Sequence, residues 1–586
     1  MKLNRILAAA FFGAALLAGS VADACTNFLF TKGATKDGST MITYAADSHT
    51  LYGELYYRKA ADYPAGTMFM LVDWDSGRQL FEIPQVAHTY SVVGNINEYQ
   101  LAIGETTYGG REECWKEPVK GIDYGSLIYV TLQRAKNARE AIWWMTKLVA
   151  DYGYCSEGES FSIADPDEVW ILELIGKRST PVQADLAKKL KYKYTDGAVW
   201  VARRIPDGYV SGHANQARIT RFPQEGKRFS KAKGKGLHST ISSAHMSYLY
   251  EPEVECIYSA EVVTYARACG WFDGKDEDFS FADTYAPLTF SAMRGCDARV
   301  YAMFRRVASG MERYEKYAMG DATAERLPLW IKPDHKIDVL EAMALMRDHY
   351  EGTSMDMSKD LGAGPFNCPY RWRPMGFELD GHTYVHERAT STQQTGFSFV
   401  AQCRGWLPSK IGGILWFGVD DTYSTVYCPM YCGITEIPLC FREGNGDMVT
   451  YSETSAFWLF NRVSNFLYSR YSDMIKDVQG VQNSLEKHYA EAVHKFDKRA
   501  AQNEGEALER LLNDFSNRQA EEMMLEWNNL DRYLLVKYMD GNIKKEKNGS
   551  FERTATGQAA FPLQPHYREA WQRMIVNDHG DVIREK

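Results

Sequence analysis

The first 25 residues constrain this chain most, because they indicate where the folded protein begins. Residues 1–5 carry two cations, residues 6–19 are apolar, and Ala22 and Ala24 place small side chains at positions −3 and −1 before Cys25. This is the pattern of a secretory signal peptide, and the apolar stretch is too short for a membrane anchor. The sequence therefore predicts that residues 1–24 are removed, that the protein is exported to the periplasm or the extracellular space, and that Cys25 becomes its first residue.

A cysteine directly after a signal peptide also occurs in lipoproteins, so a second interpretation is open. Lipoprotein processing favours an aliphatic residue at −3 and small residues at −2 and −1, whereas this chain has Ala22 and the charged Asp23 at −3 and −2. Lipidation would block both the thiol and the amine of Cys25. The chain is therefore either an exported binding protein or lipoprotein, or a protein with a reactive N-terminal cysteine, and the two alternatives exclude each other.

The rest of the chain has the composition of a large globular protein. Of its 586 residues, 45% are hydrophobic and 24% are charged, and the formal net charge is −9. It has no basic block, which argues against a nucleic-acid partner, and no apolar run of about 18 residues after residue 24, so no membrane span is expected. When Cys25 is set aside from the 11 cysteines, the even remainder permits complete disulfide pairing in an oxidising compartment.

Hydrophobic patterns along the chain predict sheets covered by helices, a fold of the α+β class. The predicted strands are 26–31, 40–45, 68–72, 89–93, 101–106, 160–164, 169–174, 199–203, 398–403, 414–417 and 425–428. Helices are predicted at 124–135 and 137–152, and residues 453–547 are predicted to be mostly helical. A turn at 36–38 joins the first two strands into a hairpin, which brings Asp47 close to Cys25.

The sequence lacks the motifs of the common metal and nucleotide enzymes. It contains no HExxH, no CxxC, no GxSxG and no phosphate-binding loop. Cys428 and Cys432 are four residues apart, which in a strand-rich segment favours a disulfide or a core pair over a metal site. We therefore expect neither a metal nor a cofactor.

Cys25 is the candidate nucleophile, and its position supplies a base. A thiol nucleophile needs a base within hydrogen-bond reach, and an N-terminal cysteine carries its own α-amine. The reference pKa of an α-amine is about 7.7–8.0, so this group can accept the thiol proton near neutral pH. Asp47, at the end of the second hairpin strand, is placed to orient the amine, although an Asx turn that ends the strand explains Asp47 equally well.

Two segments are especially distinctive: residues 25–48, CTNFLFTKGATKDGSTMITYAADS, and residues 211–219, SGHANQARI. These and several other segments resemble, in order, those of the N-terminal-nucleophile cysteine dipeptidases of the dipeptidase A type. Further matches are 94–98 with 102–106, 164–166 with 169–173, 200–207, 297–299 and 398–431. The similarity covers about residues 25–440. Secernins and the bile-salt and penicillin-V amidases are more distant relatives.

The resemblance implies an αββα sandwich with the nucleophile at the start of a central strand. It also implies roles for four residues: Cys25 as nucleophile, Asp47 holding the amine, Asn215 binding the oxyanion, and Arg299 as the late active-site arginine of the amidase branch. That branch has an arginine three residues before the aspartate, where this chain has Tyr44. The departure weakens a bile-salt or penicillin assignment.

The sequence thus predicts an exported cysteine dipeptidase without a cofactor, acting on small peptides, chiefly dipeptides. Residues 25–450 are expected to form the hydrolase domain, and residues 451–586 a mostly helical extension. Glu98 and Thr106 lie near the site by the same resemblance, although a turn explains Glu98 better. A non-peptide acyl-amide hydrolase on the same fold is the alternative within the enzyme class.

Overall fold

A computed structural model describes residues 25–225 and 239–586 of the chain. These residues form a mixed α and β structure built on two large sheets, as the sequence predicts. The predicted signal peptide, residues 1–24, lies outside the described residues.

The first large sheet has seven antiparallel strands and contains the predicted N-terminal hairpin. In spatial order its strands are Trp330–Ile331, Val210–His213, Asn27–Phe30, Thr40–Asp47, Thr395–Cys403, Gly413–Val419 and Cys428–Tyr431. Leu29 pairs with Ile42 across the hairpin. Every residue of the two hairpin strands is buried, so both faces of the sheet are covered at this point.

The second large sheet has nine strands and lies against the first. In spatial order its strands are Thr240–Ser242, Cys256–Tyr258, Ala198–Arg204, Val169–Gly176, Gly158–Ala164, Ala102–Gly109, Ile96–Asn97, Val92–Val93 and Tyr57–Arg58. The first two run parallel, and the other pairings are antiparallel. Two-stranded ribbons complete the β structure: Ala61–Asp62 with His88–Thr89, Met68–Val72 with Gln79–Pro84, Gly376–Leu379 with His382–Val385, and Glu546–Lys547 with Ser550–Phe551.

Polar side chains join the facing surfaces of the two large sheets. The ring of His213, on the seven-stranded sheet, lies 2.7 Å from the hydroxyls of Thr106 and Ser162 on the nine-stranded sheet. The sheets approach closely at Gly104, where a Cβ atom would lie 2.7 Å from the side-chain nitrogen of Asn27. A larger residue at position 104 would therefore push the sheets apart.

Helices cover the other face of the nine-stranded sheet. Trp170, Leu172 and Leu174, at alternate positions of one strand, belong to an apolar cluster with the helices Tyr124–Leu132 and Ala138–Tyr152. The intervening Ile171 belongs to the core on the side of the seven-stranded sheet. This alternation of faces is the period of a strand, and it lets one strand serve two layers of core.

Both of these helices begin at residues that favour a helix start. The side chain of Asp123 accepts a hydrogen bond from the Ser126 N–H, and that of Asn137 accepts one from the Glu140 N–H. Such caps satisfy N–H groups that have no partner within the helix, and each contributes about 1 kcal/mol.

The remaining helices pack around the sheets or along the chain between them. They are Ala184–Leu190, Val262–Ala268, Phe281–Tyr285, Ala298–Val307, Glu315–Ala318, Val339–Leu345, Ser409–Gly412, Ala456–Ser469, Tyr471–Ala500, Gly505–Tyr538 and Glu569–His579. The helix Tyr471–Ala500 forms buried ion pairs with residues that follow other elements, including one of 2.5 Å between Asp497 and Arg404, which comes directly after the strand Thr395–Cys403. In the described parts of the chain, no helix combines the length and the apolar character that a membrane crossing requires.

Most of the predicted elements are confirmed within a few residues. The strand predicted at 425–428 is wrong in position, because the Thr425 hydroxyl donates to the Val419 carbonyl oxygen within the preceding turn and the strand starts only at Cys428. All eleven cysteines lie in the described residues, and each is a free thiol, so neither complete pairing nor a disulfide between Cys428 and Cys432 is present. The expected boundary at residue 450 stays a prediction.

Candidate active site

Cys25 lies two residues before the start of the strand Asn27–Phe30, where the two large sheets meet. Thr26 forms an antiparallel bridge with Ala45, with N···O distances of 3.2 Å and 3.0 Å. This pairing holds Cys25 beside the end of the neighbouring strand Thr40–Asp47. Only 6% of Cys25 is exposed, so its thiol is nearly enclosed by protein.

The thiol has two polar side chains as neighbours. Its sulfur lies 3.6 Å from the Tyr44 hydroxyl and 3.7 Å from Oε1 of Glu105, and Tyr44 donates to the same Glu105 oxygen at 2.5 Å. Burial, together with the negative charges of Glu105 and Asp47, raises the pKa of Cys25 well above its usual value. A thiolate therefore requires a base that removes the proton when it is needed.

Asp47 ends its strand beside Cys25 and is completely buried. It accepts a hydrogen bond of 2.6 Å from the Thr395 hydroxyl and forms an ion pair with Arg388. Burial raises the pKa of the Asp47 carboxyl, and the adjacent Arg388 guanidinium offsets part of that rise. The Asp47 backbone offsets part of the rise in the pKa of the Cys25 thiol.

Arg299 connects two of the other predicted site residues. It belongs to the helix Ala298–Val307 and is fully buried. Its guanidinium donates to the carbonyl oxygens of Cys25 at 2.6 Å and Ala214 at 3.1 Å, to the Thr26 hydroxyl at 2.7 Å and to Oδ1 of Asn215 at 2.8 Å. The planar fork of donors suits this task, because it fixes several acceptors in one geometry. Burial and the nearby Arg388 lower the pKa of Arg299.

Asn215 follows the strand Val210–His213 and has a left-handed backbone with φ of 61°. Asparagine tolerates this conformation better than most residues. Its Nδ2 donates to the Thr107 carbonyl oxygen at 2.6 Å, and its Oδ1 accepts from Arg299. The amide is therefore held in one orientation from both sides.

All four predicted site residues thus lie in one connected region. Arg299 bonds to Cys25 and Asn215, and Asp47 lies close enough to Cys25 for its charge to raise the pKa of the thiol. No group of three or more His, Cys, Asp or Glu side chains able to hold a metal ion occurs within residues 25–225 and 239–586.

Comparison with known proteins gives the family of this arrangement. The model of Peptidase family C69 matches residues 24–484. The chain belongs to peptidase family C69. This membership confirms the resemblance to dipeptidases seen in the sequence, and it makes the chain a peptidase.

Individual relatives of this C69 peptidase are similar at low identity over most of their length. "Probable dipeptidase B" of Streptococcus pyogenes serotype M1 is 21% identical over 468 residues, which cover 76% of this chain and 79% of the relative. "Probable dipeptidase" of Latilactobacillus sakei is 21% identical over 468 residues, covering 76% and 82%. "Probable dipeptidase" of Salmonella dublin is 21% identical over 450 residues, covering 72% and 84%.

Sequence reasoning missed two residues of the C69 site, Glu105 and Arg388. Glu105 stands in a segment that resembles the family. The resemblance places its neighbour Thr106 near the site. Thr106 contacts His213, not the thiol. Glu98 lies in a turn and accepts from the Ser91 N–H at 2.9 Å, as its turn interpretation predicts. Neighbouring residues of a strand face opposite sides, so the strand pattern offers Glu105 as the alternative to Thr106.

Proposed function

We propose that this C69 peptidase is an exported cysteine dipeptidase whose nucleophile is the Cys25 thiol. The observation that carries the proposal is the Arg299 guanidinium, which joins the main chain of Cys25 to the side chain of Asn215. These residues are far apart in sequence, and the resemblance selected each of them independently. The names of the relatives support dipeptides as substrates. We further propose that the two facing sheets with their helices form the αββα sandwich of the N-terminal-nucleophile hydrolases.

Removal of residues 1–24 would convert the amide nitrogen of Cys25 into a free amine, which can act as a base. In the proposed reaction the amine takes the thiol proton, and the thiolate attacks the peptide carbonyl carbon. The amine then gives this proton to the leaving amine as the C–N bond breaks, which leaves a thioester on Cys25. Water hydrolyses the thioester, releases the acid and restores the thiol.

Asp47 and Asn215 have different tasks in this reaction. The Asp47 carboxylate stabilises and directs the ammonium form of the Cys25 amine, while Arg388 holds the carboxylate. Asn215 donates from its amide nitrogen to the oxyanion, together with backbone N–H groups. A single donor of this kind contributes about 2.7–4 kcal/mol to transition-state stabilisation. Arg299 positions Asn215 and the first peptide unit of the mature chain.

Replacement of Cys25 tests the proposal. The mature chain, residues 25–586, should hydrolyse an unmodified dipeptide such as Ala-Ala, and Cys25→Ala should abolish that activity while the thermal unfolding midpoint stays close to that of the parent. Cys25→Ser should retain at most a trace, because an alcohol ionises far less readily than a thiol. Substantial turnover by Cys25→Ala would overturn the assignment of the nucleophile.

A chain that keeps residues before Cys25 is the matched control for the base. Its Cys25 nitrogen remains an amide and cannot accept a proton, so this chain should be inactive until it is processed. Full turnover by an intact unprocessed chain, verified by mass, would assign the base to another residue. Turnover of acyl-amides in place of dipeptides would favour the acyl-amide hydrolase instead.

A further inference from the structure

Two buried carboxyl groups lie together beside the proposed nucleophile and have no part in the mechanism above. Glu105 belongs to the strand Ala102–Gly109 and Glu159 to the neighbouring strand Gly158–Ala164. Thr107 pairs directly with Glu159, so Glu105 and Glu159 share one face of the sheet as diagonal neighbours. Glu105 is 2% exposed and Glu159 is not exposed at all.

These carboxyls are only half satisfied by the protein. Oε1 of Glu105 accepts from Tyr44, and Oε1 of Glu159 accepts from the Thr107 hydroxyl at 2.7 Å. Oε2 of each residue is buried and accepts no hydrogen bond from a donor group of the described residues, and the two carboxyls can bond to each other only when one of them is protonated. Burial raises the pKa of both carboxyls, and the charge of Glu105 adds to the rise at Glu159.

No cationic side chain of the described residues pairs with either carboxyl group. Within residues 25–225 and 239–586, neither Glu105 nor Glu159 takes part in an ion pair, and Tyr44 donates a hydrogen bond without bringing a charge. Burying carboxylates without a cation is costly, and a buried acid pair is stable only with a shared proton or with a cationic partner. Two adjacent carboxyl groups are suited to the several N–H donors of an ammonium group.

The pair also lies where a substrate must come. Oε1 of Glu105 is 3.7 Å from the Cys25 sulfur. In a peptide whose first carbonyl carbon is attacked by the thiol, the free α-amine is two bonds from that carbon, at about 2.5 Å. On its side away from Gly158–Ala164, the described strand Ala102–Gly109 pairs only at Ala102, with Ile96, so the strand edge at Glu105 is not covered by another strand.

We propose that Glu105 and Glu159 form the subsite for the free α-ammonium group of the substrate. The inference rests on the proposed function and extends it. The carboxyl pair would fix the first residue of a peptide with its carbonyl at Cys25, so that the enzyme cleaves after that residue. Peptides with an acylated N-terminus lack the positive charge and leave the pair unbalanced. Glu105 and Glu159 therefore determine the requirement for a free N-terminus.

The test compares Ala-Ala with N-acetyl-Ala-Ala on the mature parent chain and on Glu159→Gln. Glu159 is the better position to change, because it does not contact Cys25. The parent should prefer the free amine. Glu159→Gln should lower kcat/KM for Ala-Ala by about tenfold to a hundredfold, mainly through KM, as expected when a hydrogen bond to a charged group is lost. The slower hydrolysis of N-acetyl-Ala-Ala should not change, and this constancy also shows that the variant is folded.

Glu112→Gln is the matched control, because Glu112 is exposed and its ion pair, with Lys116 four positions later, lies on the surface. It should leave both substrates unaffected. An unchanged preference for Ala-Ala in both Glu159→Gln and Glu105→Gln would overturn the inference, and so would an equal fall for both substrates in Glu159→Gln. Failure of the proposed function would look different, since the parent would then hydrolyse neither substrate or Cys25→Ala would remain active.

Discussion

At the scale of single residues, charged groups of both signs are buried around Cys25. Glu105 lies beside the thiol, Arg299 binds the Cys25 carbonyl oxygen, and Arg388 pairs with Asp47. Burial makes these interactions strong, because the effective dielectric constant of a protein interior is far below that of water. A raised thiol pKa fits this environment, since the proton is held until a base next to the sulfur removes it.

Variants of Asn215 and Asp47 should separate oxyanion binding from proton transfer. Asn215→Ala should lower kcat by about a hundredfold or more without moving the pH profile, because it removes one oxyanion donor. Asp47→Asn should lower kcat and move the acidic limb of the profile to lower pH, since loss of a nearby negative charge lowers the pKa of an amine. The measurement is kcat/KM for Ala-Ala between pH 4 and pH 9, at about half-unit steps.

Asn513→Ala is a suitable control for this pair, because Asn513 lies on the helix Gly505–Tyr538 and its side chain bonds to Thr435 and Glu436, at the exposed surface. If Asn215→Ala moves the profile and Asp47→Asn only scales it, the two roles are reversed. A loss of no more than a few-fold in both variants would contradict both assignments. Asp47→Asn should also be less stable than the parent, because it leaves the buried Arg388 without its carboxylate.

Some of these site residues could be predicted from the sequence, and others could not because only the packed fold brings them to the site. Cys25 follows a signal peptide pattern, and Asn215 stands in a segment with a specific resemblance. Arg388 is 341 positions from Asp47 and lies in no segment with a recognisable pattern. Its role depends only on how the chain brings it to the end of the strand Thr40–Asp47, and that is a property of the packed fold.

At the scale of elements, the N-terminal hairpin and the helices Tyr124–Leu132 and Ala138–Tyr152 could be predicted because each is long enough to show its period. The strands Tyr57–Arg58 and Val92–Val93 extend the nine-stranded sheet but contain only two residues each. Two residues cannot display an alternation, so pairing with neighbouring strands alone determines these elements. The order of the strands was beyond prediction for another reason: strands that are far apart in the sequence pair with each other, as Thr40–Asp47 does with Thr395–Cys403, and the periodicity of a strand does not indicate its partner.

His213 links the two sheets in its neutral form, and this should make stability depend on pH. Burial lowers the pKa of His213 to about 3, far below the value of about 6.5 expected in the unfolded chain. Between these values the unfolded chain binds a proton that the folded chain does not. His213 should therefore contribute stability above pH 6.5, and this contribution should fall as the pH decreases towards 3, by about 1.4 kcal/mol per pH unit.

The measurement for His213 is the free energy of urea unfolding at several pH values for the parent and His213→Gln. Glutamine can still hydrogen-bond Thr106 and Ser162 but does not titrate, so the difference between the two proteins isolates the histidine. We expect the parent to lose stability more steeply than the variant below pH 6.5. Parallel curves for the two proteins would contradict a neutral, buried His213.

At the scale of the whole molecule, the C-terminal helices share the main core with the sheets. Leu459, Val478, Leu512 and Trp527 are buried in the same apolar cluster as the hairpin strands. The helix Tyr471–Ala500 also supplies carboxylates to buried cations of the preceding chain. Glu486 pairs with Arg347 at 2.5 Å, and Asp497 pairs with Arg404. Residues after 541 are mostly exposed, so they contribute little to this core.

Two shortened chains should show how far the folded unit extends. A chain of residues 25–541 should remain soluble, unfold cooperatively and keep most of its activity on Ala-Ala, because it retains the helices that complete the core. A chain of residues 25–450 should aggregate or fail to unfold cooperatively. It would expose the apolar surface that these helices cover, and it would leave Arg347 and Arg404 without their carboxylates, at a cost of about 3–5 kcal/mol for each broken pair.

Size-exclusion chromatography, thermal unfolding and dipeptide hydrolysis of the two chains provide the measurement. A soluble and active chain of residues 25–450 would contradict this expectation and would instead establish a domain boundary near residue 450.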